Sequence, residues 1–184
     1  MKLDLVGYPN YEDRDYPDAI RAADAGKGVL NYHGTLPRRA DLFRLMEECE
    51  AALCLMPMRS RYSGMEQMAG ASNKPFDAMA RGLAVVVSDI PEWKKLYLPG
   101  NNHDSGKGYW ISDMGYGIAI NPESQESIQE RLEWMLNNRE ELWEMGERGR
   151  QKIKREWNYE KMFHTLKIVD KIANGENIFK ITNI

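Results

Sequence analysis

A run of small and polar residues, Gly70-Ala71-Ser72-Asn73-Lys74-Pro75, leads directly into Phe76-Asp77-Ala78-Met79-Ala80-Arg81-Gly82. These residue types follow one another as they do at a helix start. Ser72 and Asn73 are both capping residues, and Pro75 suits a first turn, where its missing N–H costs nothing. A helix opened in this way offers unpaired N–H groups and the positive end of its dipole, and both favour an anion. Lys74 adds a full charge, and Asp77, one turn further on, can accept hydrogen bonds from a diol. The small residues ahead of the helix let a ligand approach the backbone. The chemistry implied is the holding of a phosphorylated, hydroxyl-rich ligand. A plain structural reading stands beside it, since first-turn acids suit the helix dipole and exposed lysines are common.

Such a helix needs strands to place it. Apolar runs at residues 3–6, 29–32, 51–56, 83–88 and 117–120 end near Gly, Pro or polar residues and read as buried strands. Helical spacing fills the intervals at 18–25, 39–48, 75–81 and 91–98. The β-α-β-α alternation predicts an α/β fold, a Rossmann-like parallel sheet with helices on both faces. In such a sheet the ligand lies beyond the carboxyl ends of the strands. That directs attention to Gly7-Tyr8-Pro9, His33-Gly34-Thr35-Leu36, residues 57–64 and Ser88-Asp89-Ile90-Pro91, besides the segment at Ser72. Gly82 closes the helix as a C′ glycine does.

The C-terminal part changes character. Ser124 can cap a helix reaching Asn137, a second carries Leu142, Met145, Gly149, Ile153 and Trp157 on one face, and Asn158 can cap a third on which Met162, Leu166, Val169 and Ala173 repeat at helical intervals. Residues 99–115, rich in Gly, Asn, Asp and Ser, read as a surface loop. Residues 1–173 form the expected domain and residues 174–184 a loosely held tail.

Composition narrows the classes. A chain of 184 residues, 42% hydrophobic and 29% charged, has the make-up of a globular domain. A net charge of -3 gives no general pull toward nucleic acid, and none is expected as a partner. Two cysteines, Cys49 and Cys54, make no disulfide framework, which with the lack of an apolar leader or span predicts a cytoplasmic protein. A single His103-Asp104 pair is no coordination set, so no metal is expected. His33 reads as a turn histidine. Arg148, Arg150, Lys152, Lys154 and Arg155 are diluted by Glu144, Glu147 and Glu156 and read first as a solvated face, with peripheral contact to anionic lipid as the second reading.

The run from Asn73 to Pro91 resembles the donor-site signature of retaining glycosyltransferases of the GT-B fold, family GT4, whose members often carry a lysine and an apolar pair, then Glu-Ala-Met-Ala-x-Gly-x-Pro-Val-Val. His33-Gly34-Thr35-Leu36 with Asp41-Leu42-Phe43 is similar to that family's Gly-containing turn. Residues 116–122 resemble its last strand, and Met145 to Arg150 with Trp157 to Glu160 its closing helices. The resemblance covers roughly residues 3–173.

It implies a donor domain that binds a nucleoside-diphosphate sugar, itself the substrate, for retaining hexosyl transfer to a carbohydrate or lipid-linked acceptor. Asp77 takes the place of the acid that binds the ribose, one methylene shorter than the usual Glu. Ser72, Asn73 and Lys74 match the phosphate and ribose approach, and Gly34, Thr35 and Leu36 the lining of the base. Ala69 stands where the family often has a second Glu, so that role passes to no residue here; Glu66 is out of register. The family's first strand and its basic pair have no counterpart, with Arg59 and Arg61 as candidate substitutes that read first as solvated. The expectation is therefore an incomplete enzyme, whose acceptor-binding N-terminal domain comes from elsewhere in the protein or from a partner chain, with no catalytic residue assignable. A degenerate donor domain serving as a binding or assembly subunit is the alternative, and a GT-B epimerase or phosphorylase a more distant one.

Overall fold

The structure, a computed structural model, describes residues 1–8, 15–58, 67–100, 102–104, 110–112, 114–166 and 174. The chain divides into two compact units, Met1–Cys49 and Glu50–Ile184.

In the first unit β1 (Leu3–Val6), α1 (Tyr16–Asp24), β2 (Leu30–Gly34) and α2 (Arg39–Met46) alternate as expected. β1 and β2 pair in parallel, with Leu3 opposite Leu30 and a register shift after Leu5 that brings Val6 opposite Gly34. β2 starts one residue later than its apolar run because the Asp24 carboxylate takes the N–H groups of Gly28, Val29 and Leu30 at 2.8, 2.8 and 2.9 Å. It ends two residues later because the Gly7 N–H reaches the Gly34 carbonyl at 2.9 Å. His33 is a strand residue rather than a turn residue. Its Nε2 lies 2.7 Å from Asp4 Oδ1, which also accepts from Asn31 Nδ2 at 3.1 Å.

Both carboxylates sit below their ordinary value of 3.8, Asp4 chiefly through the His33 hydrogen bond and Asp24 chiefly through the Leu30 N–H. A depressed folded-state pKa contributes stability that is fully present above the unfolded value and is lost as pH falls through the folded one. The urea midpoint of the first unit should therefore fall with pH below about 3.8. Asp24→Asn should flatten part of that acid limb, and an unchanged limb would contradict the assignment.

The second unit centres on a parallel sheet in the order β3 (Ala51–Cys54), β4 (Ala84–Ser88), β7 (Gly117–Ile120). Every residue of β4 is buried, as its valine-rich run requires of a central parallel strand. Ala84 and Val86 pack with Ile118, Ile120, Leu142 and Met145 in one core cluster. β3 stops at Cys54, two residues short of its apolar run, because the Ser88 hydroxyl replaces a ladder partner. Ser88 Oγ accepts from the Met56 N–H at 2.7 Å and donates to the Met56 carbonyl at 2.5 Å.

Helices α3 (Asn73–Ala80) and α4 (Pro91–Tyr97) connect these strands, and α5 (Gln125–Asn137), α6 (Arg139–Arg155) and α7 (Tyr159–Leu166) follow them. Ser124 and Asn158 cap as expected: Ser124 Oγ accepts from the Ser127 N–H at 3.2 Å and Asn158 Oδ1 from the Lys161 N–H at 2.9 Å. Val169 and Ala173 lie outside the described residues, as does the tail apart from Asn174. On α6, Arg148 pairs with Glu141 and Glu144, Arg150 with Glu147, and Lys152 with Glu156. These cations are thus engaged on their own helix.

The segment at 99–115 is not wholly irregular. Two short strands, β5 (Asn102–Asp104) and β6 (Trp110–Ser112), pair antiparallel within it. Asn and Asp are poor strand formers, so that side of the hairpin is held through its backbone ladder and carries no sequence signal. Among the described residues no helix is long and apolar enough to cross a membrane.

Candidate anion site at the start of a short helix

α3 opens at Asn73, two residues earlier than the position of Pro75 suggests. Ser72 is the N-cap with extended backbone (φ -76°, ψ 126°), but its side chain makes no capping bond. Its own N–H is spent on the Met68 carbonyl at 3.0 Å. Asn73 and Lys74 then fill the first two helical positions, whose N–H groups have no intrahelical partner. Pro75, third and fully buried, has no N–H to offer. The opening thus presents two adjacent backbone donors beside one ammonium group.

The C-terminal end is closed by a Schellman motif, with the Gly82 N–H on the Met79 carbonyl and the Leu83 N–H on the Ala78 carbonyl, both at 3.0 Å. Gly82 has φ 79°, which favours glycine. Asn73 and Lys74 are exposed and Asp77 half-buried. Spacings of three and four place Lys74 and Asn73 on the same helical face as Asp77. Pro75, Ala78 and Met79 are buried.

Lys74 stands close enough to the end of β3 to act on Cys54. Burial pushes that thiol up to about 12, and the lysine charge works against the rise. A thiol so placed is protonated at neutral pH and is no nucleophile.

Beyond Cys54 the backbone is held from the exits of the other two strands. Ser88, the last residue of β4, engages both polar groups of Met56, and Glu123, three residues past β7, accepts from the Met58 N–H at 3.0 Å. Glu123 is held in turn, since its N–H donates to Asn121 Oδ1 at 3.0 Å. After β4, Asp89 donates its N–H to the Ile120 carbonyl at 2.8 Å, and its carboxylate pairs with Lys94 at 2.5 Å.

An aromatic cluster braces α3 from behind. Trp157, at the turn between α6 and α7, lies edge-on to Phe76 at 5.6 Å, to Tyr116 at 5.9 Å and to Tyr97 at 6.4 Å. Tyr97 also donates its hydroxyl to the Ala69 carbonyl at 2.6 Å, tying down the 3-10 turn that precedes the helix. Burial raises the Tyr97 pKa, so that hydroxyl stays protonated and keeps donating. Neither this brace nor Glu123 was among the site residues read from sequence, and Ser88 was singled out only for its place at a strand exit. Their partners lie 28 or more positions away, and no local pattern marks them.

Of the residues expected to form a site, Ser72, Asn73, Lys74 and Asp77 are gathered at one helix start. Gly34, Thr35 and Leu36 belong to the first unit, at the end of β2. Gly34 takes φ 64°, a conformation that side chains disfavour, Thr35 is exposed and Leu36 half-buried. Arg59, Arg61 and Glu66 lie outside the described residues.

Parallel strands flanked by helices, with a helix start at the carboxyl ends, define a Rossmann-like domain matching the C-terminal half of GT-B glycosyltransferases. Residues 1–167 match the family described as glycosyl transferase-like, and the chain belongs to it. No curated protein sequence matches the chain.

Among solved structures, Anabaena Alr3699/HepE in complex with UDP is similar at TM-score 0.64 and 12% identity, over 95% of this chain and 41% of that one. Sucrose-phosphate synthase from Thermosynechococcus elongatus is similar at TM-score 0.61 and 14% identity, over 95% and 39%. The C-terminal domain of a glycosyl transferase group 1 family protein, LpcC, from Francisella tularensis is similar at TM-score 0.59 and 14% identity, over 86% and 70%. The chain spans about two-fifths of the length of the first two.

Proposed function

We propose that this chain binds a nucleoside-diphosphate sugar and serves as the donor domain of a glycosyltransferase. The observation that carries the reading is the opening of α3: two N–H groups without helical partners, at Asn73 and Lys74, stand beside the Lys74 ammonium, and Asp77 follows one turn later on the same face. The diphosphate docks on the first three groups, and Asp77 accepts hydrogen bonds from the ribose diol. As the sugar leaves, negative charge grows on the diphosphate, and donors already in place stabilise it without reorganisation. Ser72 shapes the approach. The UDP complex of a structurally similar protein supports the ligand class.

The finer reading is a retaining hexosyltransferase of family GT4, cytoplasmic, using no metal or cofactor, with a carbohydrate or lipid-linked acceptor. The acceptor-binding half is supplied by another part of the protein or by a partner chain, and residues 1–173 act as the donor domain.

A calorimetric titration with UDP, GDP and ADP sugars tests the proposal, and binding of one of them is expected. Lys74→Ala should weaken both UDP and inorganic pyrophosphate by about tenfold, the scale of a lost charge-assisted contact. Asp77→Ala should weaken UDP by about as much without weakening pyrophosphate, because only the nucleotide carries a diol and loss of a carboxylate does not disfavour an anion. Absence of binding to every nucleotide would favour the second reading, a degenerate donor domain kept as an assembly subunit. Ala69 favours that reading, since a buried methyl stands where the resemblance would put a sugar-binding Glu.

A further inference from the structure

The backbone leaving β3 is fixed at three points within three residues: the N–H and carbonyl of Met56 by Ser88, and the N–H of Met58 by Glu123. Cys54, immediately before this strip, ends β3, which packs against α3, and its thiol feels the charge of Lys74 at the opening of that helix. Ser88 is fully buried and belongs to the core, whereas Glu123 is exposed and projects from the loop after β7. A carboxylate near a bound anion is unfavourable by Coulomb's law unless it serves another purpose there. Here one oxygen is spent on a backbone N–H, and the residue's own N–H is held by Asn121.

We propose that Glu123 is a positioning residue for the anion site at the start of α3: through the Met58 N–H it fixes the strip 55–58 beside Lys74, and nucleoside-diphosphate affinity depends on that hold. The inference rests on the reading of α3 given under Proposed function. It predicts an effect opposite in sign to simple electrostatics. Removing a negative charge near a diphosphate should tighten binding, whereas losing the hold on the strip should weaken it.

The test uses UDP and the full chain. Glu123→Ala should lower UDP affinity about fivefold, the scale of one hydrogen bond's net effect. Glu123→Gln keeps the oxygen acceptor and removes the charge, and should bind UDP at least as well as the unsubstituted chain. Equal tightening in both variants, or full affinity in Glu123→Ala, would overturn the positioning role. A second readout does not need the ligand: the Met58 amide proton resonance should shift as Glu123 is protonated and lose that titration in Glu123→Gln. An amide that does not follow the carboxylate would also overturn it. If the unsubstituted chain binds no UDP while the Met58 amide still titrates, the donor-site reading fails and the role toward a nucleotide falls with it. The local hold itself would then stand.

Discussion

Gly146→Val is expected to leave the second unit without a folded state. A Cβ at position 146 would lie 1.9 Å from the Gly82 carbonyl oxygen and 2.7 Å from its carbon. Both atoms belong to backbone that closes α3 and enters β4, so no rotamer change relieves the clash. The two segments would have to separate, opening the core shared by Met145, Leu142 and Ala84. The cost should exceed about 4 kcal/mol, at the far end of what single substitutions do. Gly149→Ala provides the graded comparison, because its Cβ would meet Met79 Cγ at 3.1 Å, a contact with a flexible side chain. That variant should fold with a loss of about 1 kcal/mol. Thermal unfolding of the pair measures both, and a cooperative transition of near-normal midpoint in Gly146→Val would show that α6 does not approach α3 so closely.

Trp157→Ala should produce the second largest effect and carry it into the site. Among the described residues the indole is the one ring that lies edge-on to Phe76, Tyr97 and Tyr116 together, and Lys152 Nζ sits 5.3 Å from its centre. Its loss leaves a hole between three helices and a strand entry, which should cost about 3 kcal/mol given that the ring is partly exposed. Phe76 is the residue before Asp77, so loosening it should also blur the face that carries Asp77 and Lys74. UDP affinity should fall in Trp157→Ala, and Trp157→Phe, which keeps an edge-on ring, should restore most of it. Unchanged affinity in the alanine variant would show that α3 is held well enough by the sheet alone.

Some of this was readable from residues in a row. The helix start near Ser72 and its Gly82 stop depend on interactions spanning a few positions and follow in the expected order, although α3 opens at Asn73 and the Ser72 side chain makes no capping bond. The caps at Ser124 and Asn158 are equally local. β4 was legible because Leu83 to Val87 is an unbroken apolar run, which only a strand buried on both faces can use. Where local cues and distant partners compete, the ends of elements moved. Asp24 reached three N–H groups and delayed β2, Ser88 ended β3 early, and the pairing of residues 102–104 with 110–112 made a hairpin from residues that do not favour strands.

The sequence alone determined the kind of fold: alternating apolar runs and helical spacings specify layered α/β structure, and the residues around Ser72 specify a helix start, because both follow from backbone geometry within a few residues. Only the tertiary structure decided where α3 opens, which side chains fix the backbone beyond β3, and which ring braces α3 from behind. Those contacts join Met58 to Glu123, Met56 to Ser88 and Phe76 to Trp157, and the last of them spans about half the chain. Their formation depends on the parallel stacking of β3, β4 and β7, which brings the three strand exits to one edge and has no counterpart in the order of residues along the chain.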